Sequence, residues 1–310
     1  MDISIIIPTF NRLWILPQAV NSCMGSKLSI EIIVVDDGST DGTGEWLASQ
    51  ENIVRMTQSN WGKCWAVNAA FKIAQGKYIK FLDSDDMVAP GSLEEQFELA
   101  EQDNCDVVVS GYSLVDEKNE ITLSQPWIEC DDFIAQQLGE SDSSHYSAYL
   151  FKKTFIEDIP HRPDFAFRDD RLFVLEVALK KPKVSVAKIN GLLHRHHKNE
   201  RLQFNNKLQA AVQNYQHINI YKKILNTLDK QSELTKRRIN ASSKILMPLI
   251  HWIAKDNLLE AEEAYNWLLK LNPENIKGEN KATDLLYKVI GFKRTEQLFK
   301  IRRIFKYGLN

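Results

Sequence analysis

Tyr78-Ile79-Lys80-Phe81-Leu82-Asp83-Ser84-Asp85-Asp86 is the stretch from which the rest of the chain is read. Ile79, Phe81 and Leu82 make a short apolar strand just after Gly76. The three carboxylates that follow within four residues repel one another and lose hydration if the strand end is buried, so they call for a cation. A hard divalent ion with oxygen ligands, Mg²⁺ or Mn²⁺, removes the repulsion and leaves positions open for phosphate oxygens. The plainer alternative is an exposed acidic turn ahead of a helix starting after Pro90, because Asp and Ser are also ordinary turn residues.

Upstream, Ile3 to Ile7 form a nearly unbroken β-branched run, the pattern of a strand buried on both faces of a parallel sheet. Pro8-Thr9-Phe10-Asn11-Arg12 stops it, and a helix is expected through about Met24. Ile30 to Val35 repeat the pattern and end at Asp36-Asp37-Gly38-Ser39-Thr40-Asp41-Gly42, where Ser39 and Asp41 suit the N-cap of the next helix. A third short strand spans Ile53 to Met56. Asn60-Trp61-Gly62-Lys63 then leads into a helix with Trp65, Ala66, Ala69, Ala70 and Ile73 expected on one face, closed by Gly76. Strand and helix alternate, so the fold class is α/β, with a mostly parallel sheet covered by helices on both faces.

In such a sheet, ligands bind beyond the carboxyl ends of the strands. Thr9, Asn11 and Arg12, then Asp36 and Asp37, then Asn60 to Lys63, then Asp83 to Asp85 all fall at those ends, so four polar clusters share one rim. A dinucleotide is disfavoured, because Pro-Thr-Phe-Asn-Arg and not a Gly-x-Gly-x-x-Gly turn follows the first strand. A phosphate-cradling Gly-Lys-Ser/Thr loop is missing too, since Gly62-Lys63 runs into Cys64. What remains is a metal-bridged diphosphate, with a carboxylate elsewhere to recognise a base or ribose.

The 310 residues suffice for one large domain or two ordinary ones. A net charge of −2 offers no basic excess to attract nucleic acid. Cys23, Cys64, Cys105 and Cys130 have neither metal-ligand nor redox spacing and read as reduced, mostly buried thiols. The first strand starts within a few residues of Met1, leaving no room for a signal peptide, and no apolar run approaches the roughly 18 residues of a spanning helix. A cytoplasmic protein is expected.

Ser4-Ile5-Ile6-Ile7-Pro8-Thr9-Phe10-Asn11-Arg12, Val34-Val35-Asp36-Asp37-Gly38-Ser39-Thr40-Asp41, Asn60-x-Gly62 with Ala66-x-Asn68, Gly76-x-Tyr78-Ile79 and Leu82-Asp83-Ser84-Asp85-Asp86 together resemble the inverting GT-A glycosyltransferases of family 2. The match runs in order through about the first 90 residues, and a weaker echo continues to about residue 200. The resemblance implies a Rossmann-like nucleotide-sugar-binding sheet, a donor that is most often UDP-linked, and Mn²⁺ or Mg²⁺ bound through an Asp-x-Asp motif. By position, Pro8, Thr9 and Phe10 would line the base pocket, with Asn11 and Arg12 beside them, and Asp37 would accept a hydrogen bond from the uracil. Asp83, next to Ser84, would reach the donor ribose or sugar, and Asp85 would ligate the metal. Ala66-Val67-Asn68 replaces the family's Ala-Arg-Asn, so an Arg contact to the donor is missing, and Lys63 is the residue expected to substitute.

Further on, Val107 to Ser110 and Ile121 to Leu123 read as strands around a turn at Asp116 to Asn119, and Tyr146 to Phe151 as another. Residues 124–144 are polar and read as a mobile loop near the acceptor, with Trp127 either part of it or a packing anchor. Asp169 and Asp170 open a helix, where carboxylates suit the dipole. The same position resembles the family's Glu-Asp-x-x-Phe motif, which implies that Asp170 is the general base. His194-Arg195-His196-His197 follows the strand Val184 to Ile189, and resembles a Tyr-Arg-x-His motif that would bring His197 to the metal or diphosphate. A solvated basic turn is the alternative.

From about Asn199 the chain is helical by period, with segments around 200–229, 233–256, 257–271 and 281–306, a kink expected at Pro248 and a break at Asn272-Pro273. Its last segment, Gly291 to Tyr307, interleaves bases with large apolar residues, as an interfacial amphipathic helix does; packing on the preceding helices is the alternative. The expected organisation is a GT-A domain over 1–198, with nucleotide-binding (1–90) and acceptor (91–198) halves, then an α-helical region over 199–310. The expected function is metal-dependent, inverting transfer of a sugar to a glycan or lipid-linked acceptor, in cell-surface polysaccharide or lipopolysaccharide synthesis. Its rivals are a non-catalytic relative that binds a glycan or partner enzyme, and a sugar nucleotidyltransferase, which would want a Gly-rich loop with Arg and Lys after the first strand.

Overall fold

Ile3–Thr9 (β1) is buried along its whole length, as a β-branched run must be when helices cover both faces of its sheet. The structure is a computed structural model that describes residues 1–196, 207–271 and 281–307. β1 pairs in parallel with β2 (Ile30–Asp36) on one side and β4 (Tyr78–Phe81) on the other, and β3 (Val54–Thr57) extends the set beyond β2. The connecting helices are α1 (Leu16–Ser22), α2 (Thr43–Ala48) and α3 (Lys63–Ile73).

α3 lays Cys64, Ala66, Val67 and Ala70 on β1 and β2. The expected face is therefore rotated: Trp65 and Ile73 are exposed, because small residues let the helix approach the sheet and the indole does not fit there. Gly76 serves the same close approach, since a Cβ there would stand 2.3 Å from the Ser4 amide nitrogen.

Beyond β4 come β5 (Met87–Val88), α4 (Ser92–Asp103), β6 (Val107–Val115), β7 (Ile121–Gln125), α5 (Phe133–Gln137), β8 (Leu150–Lys152), α6 (Lys153–Ile156), α7 (Asp169–Leu179) and β9 (Val184–Arg195). The sheet order is β3-β2-β1-β4-β8-β6-β9-β5, with β7 on β6. It is parallel as far as β4 and mixed afterwards: β8 runs antiparallel to β4 and β6, and β9 parallel to β6. β8 is shorter than expected, because Tyr146–Ala148 form a 3-10 turn. β9 is longer and includes His194 and Arg195. The β6–β7 turn is as expected, with Asp116 Oδ1 accepting from the Lys118 and Glu120 amides.

The chain divides into two compact units, Met1–Glu129 with Asp142–Glu200, and Cys130–Ser141 with Arg201–Asn310. The second holds α5, α8 (Lys207–Lys230), α9 (Lys236–Ala254), α10 (Leu258–Leu271), α11 (Lys281–Ile290) and α12 (Phe292–Tyr307). Residues 130–141 are thus not the free loop expected. Asp132 caps α5 by accepting from the Ala135 amide, Ile134, Ala135 and Leu138 are buried, and α5 packs on α9. Trp127 is a packing anchor, edge-on to Tyr149 at 5.9 Å. α9 runs on past Pro248, and Gly291, at φ +82°, separates α11 from α12. The break expected at Asn272-Pro273 lies outside the described residues.

Candidate active site

The carboxyl ends of β1, β2 and β4 meet through their loops. Asn11, at φ +51°, receives the first cross-link: its amide donates to Ser39 Oγ at 2.8 Å, and its Oδ1 accepts from the Thr40 amide at 2.8 Å. Ser39 is therefore spent on β1's loop and does not cap α2, while Asp41 accepts from the amides of Leu13 and Thr43. Asp37 is buried, and its two oxygens accept from Gln58 Nε2 (2.7 Å) and from the amides of Trp61 and Gly62 (both 2.9 Å). Three of about four lone-pair positions are thereby filled, leaving room for one further donor. Beside it, the Thr9 hydroxyl is buried with no hydrogen-bond partner among the described residues. Buried hydroxyls are normally satisfied, so this one has a hydrogen bond to offer a ligand at the rim. Pro8 is buried, Phe10 exposed, and Asn11 and Arg12 half-buried.

The acidic run divides its labour. Asp83 forms an ion pair with Lys63. Burial works against the Asp83 charge, but Lys63, with His194 and His145 behind it, holds the carboxyl below its ordinary range. Burial likewise opposes the Lys63 charge, yet Asp83, Asp170 and Asp169 together raise that ammonium above its usual value. Asp86 is structural: its Oδ1 accepts from the Arg195 amide and its Oδ2 faces His194 Nδ1, both at 3.0 Å. Burial, with the nearby Asp85 and Asp83 charges, pushes Asp86 up. Ser84 is buried and Asp85 half-buried between these two.

Asp170 lies exposed at the start of α7, with Oδ1 accepting from the Arg171 amide at 2.8 Å. Its charge is one of those that support Lys63, so the structure gathers Lys63, Asp83 and Asp170 although more than 80 residues separate the last two. Asp169, its neighbour, is buried and turned inward to His161 and the Arg162 amide. His197 lies outside the described residues. His161, Tyr146, His145 and Asn68 are present at this rim without having been picked out for a role; the only sign was Asn68's place in the Ala66-x-Asn68 motif.

Among the described residues, no three His, Cys, Asp or Glu side chains are grouped to hold a metal. A hard cation that keeps water and substrate phosphates as ligands takes only one or two carboxylates from a protein.

A family model described as "Glycosyl transferase family 2" matches residues 4–155. An uncharacterised glycosyltransferase of Haemophilus influenzae is 38% identical over 128 residues, 39% of this chain and 51% of that protein. TuaG of Bacillus subtilis, whose name assigns it to teichuronic acid biosynthesis, is 38% identical over 119 residues, 36% of this chain and 47% of its own. The chain spans about half the length of these curated relatives. Among solved structures, Staphylococcus aureus TarS 1–349 with UDP-GlcNAc aligns at a TM-score of 0.66 and 17% identity, over 99% of this chain and 92% of that one. Mannosyltransferase PcManGT from Pyrobaculum calidifontis, with GDP-Man and Mn²⁺, aligns at 0.51 and 15%, over 96% and 86%. At those identities the likeness is one of fold, and the fold is GT-A.

Proposed function

From the match of residues 4–155 to the glycosyl transferase family 2 model, we propose that this chain moves a sugar from a nucleotide-sugar donor, UDP-linked, to a hydroxyl of a glycan or lipid-linked acceptor during cell-surface polysaccharide or lipopolysaccharide synthesis. The observation that carries this reading is the exposed Asp170, whose charge supports Lys63 of the Lys63–Asp83 pair, on the rim where the buried Thr9 hydroxyl has no hydrogen-bond partner among the described residues.

Asp170 takes the proton of the acceptor hydroxyl as that oxygen attacks the anomeric carbon. The new carbon–oxygen bond forms as the bond to the donor phosphate breaks, so the sugar is inverted and the nucleoside diphosphate leaves. Pro8, Thr9, Phe10, Asn11, Arg12 and Asp37 hold the nucleoside, while Asp83 and Ser84 hold the ribose or sugar. Lys63 supplies fixed positive charge toward the diphosphate. Asp85, with His197, would hold Mn²⁺ or Mg²⁺, which when bound offsets charge on the departing diphosphate.

The setting is the inner face of the cytoplasmic membrane. No described helix is long and apolar enough to cross a membrane. α12 instead exposes Leu298, Ile301 and Phe305 together with Lys293, Arg294, Lys300 and Arg302, a composition suited to an anionic lipid surface.

A thermal-shift screen of nucleotide sugars, with and without Mn²⁺, tests the donor and metal assignments, since a ligand of the folded state raises the melting temperature. A UDP-sugar is expected to raise it, more so with Mn²⁺, and EDTA to abolish transfer. Transfer indifferent to EDTA would remove the metal from the account.

A further inference from the structure

Behind Asp170 lies a buried polar chain that the transfer chemistry does not use. His161 is 3% exposed, Asp169 4% and Tyr146 8%. His161 Nδ1 bonds to Asp169 Oδ2, and Tyr146 Oη lies 2.8 Å from His161 Nε2. The imidazole thus bridges the carboxylate, through Nδ1, and the tyrosine hydroxyl, through Nε2. The remaining Asp169 oxygen accepts from the Arg162 amide at 2.6 Å, so the carboxylate is fixed at both ends.

This polar chain touches α3, β4 and α7, the elements that carry or lead into Lys63, Asp83 and Asp170. Asn68 of α3, five residues after Lys63, grips the His161 backbone on both sides, donating to its carbonyl at 2.8 Å and accepting from its amide at 2.9 Å. Phe81, two residues before Asp83, stacks on Tyr146 at 5.0 Å and meets His161 at 5.1 Å. Phe173 of α7 stacks on the His161 ring at 4.6 Å. The rings fill the space between β4 and α7, and the polar atoms set the register.

We infer that Tyr146, His161 and Asp169 are positioning residues, locking the first turn of α7 so that Asp170 meets the acceptor hydroxyl at a fixed distance from Lys63 and Asp83. Packing alone would ask for apolar side chains here, since burying a polar trio is costly unless every bond is made. The inference rests on Asp170 being the base.

The test is a double-mutant cycle on transfer kinetics. His161→Phe keeps a ring against Phe173 and Phe81 but removes both hydrogen bonds; Tyr146→Phe removes only the hydroxyl and serves as the cycle's partner if His161→Phe fails to melt cooperatively. His161→Phe is expected to lower kcat about 10- to 100-fold with donor KM nearly unchanged, the cost of a base displaced by about 1 Å. In an Asp170→Asn background the same change is expected to cost less than about twofold, because there is no base left to misplace. An equal loss in both backgrounds, or a Tyr146→Phe enzyme with wild-type kcat, overturns the inference while leaving the base in place. Full activity in Asp170→Asn alone strikes instead at the base assignment on which the inference rests.

Discussion

Lys63 shows how one residue's role depends on partners far away in sequence. It sits in a half-buried site where burial opposes its charge, yet Asp83, Asp170 and Asp169 raise its ammonium above the usual lysine range. Lys63→Met should raise the donor KM about 10- to 100-fold, since a hydrogen bond to a charged group contributes about 1.5–3 kcal/mol. Steady-state kinetics with varied donor checks this, and an unchanged donor KM would detach Lys63 from the diphosphate. That Asp83, Ser84, Asp85 and Asp86 fall together just past the end of β4 is readable from the sequence. Their separate duties are not, because Asp83 is defined by Lys63, twenty residues upstream, and Asp86 by His194 and Arg195, more than a hundred downstream. Asp169 is a similar case: beside Asp170 it reads as a second capping carboxylate, and only the arrival of His161 turns it inward.

At the scale of elements, the first four strands and their order along the chain are legible because β1 and β2 are buried β-branched runs and all four strands are stopped by turn residues. The faces of helices are less so. α3 carries apolar residues all round, and only contact with the sheet decides that Ala66 and Ala70 go in while Trp65 goes out. Residues 130–141 look like loop because their polar side chains, such as Asp132 and Glu140, are satisfied by Arg237 and Arg238 of α9, about a hundred residues later. α12 keeps both features of its sequence pattern. Phe292, Thr295 and Glu296 are buried, with Glu296 accepting from Tyr287 Oη at 2.6 Å and meeting His251 at 2.8 Å, while Leu298, Ile301 and Phe305 face outward. The full chain should therefore co-sediment with vesicles containing anionic lipid and much less with neutral ones. Leu298→Glu with Phe305→Glu should lose most of that binding while retaining donor turnover on a soluble acceptor. Equal sedimentation of wild type and double variant would rule out α12 as the contact.

Across the whole molecule, the sheet carries one unusual burden. Lys80 is fully buried in β4, donating to Gln96 Oε1 at 3.1 Å and the Tyr149 carbonyl at 3.4 Å, and burial lowers its pKa from 10.5 to about 7. Between those values the unfolded chain binds the extra proton, so stability should rise with pH from about 7 to 10.5, by at most about 1.4 kcal/mol per unit, and be flat in this respect below 7. Lys80→Met should lack that rise, so the gap in urea-denaturation stability between it and the wild type should change between about pH 7.5 and 9.5. Parallel curves would mean that Lys80 does not titrate in that window. The same sheet brings the N-terminal rim and Asp170 to one place, and the account turns on what Asp170 does there. The most direct measurement is the transfer rate of Asp170→Asn at saturating donor, with donor affinity measured alongside. The expected result is a fall of about 10²- to 10⁴-fold with affinity intact; turnover close to wild type would contradict it.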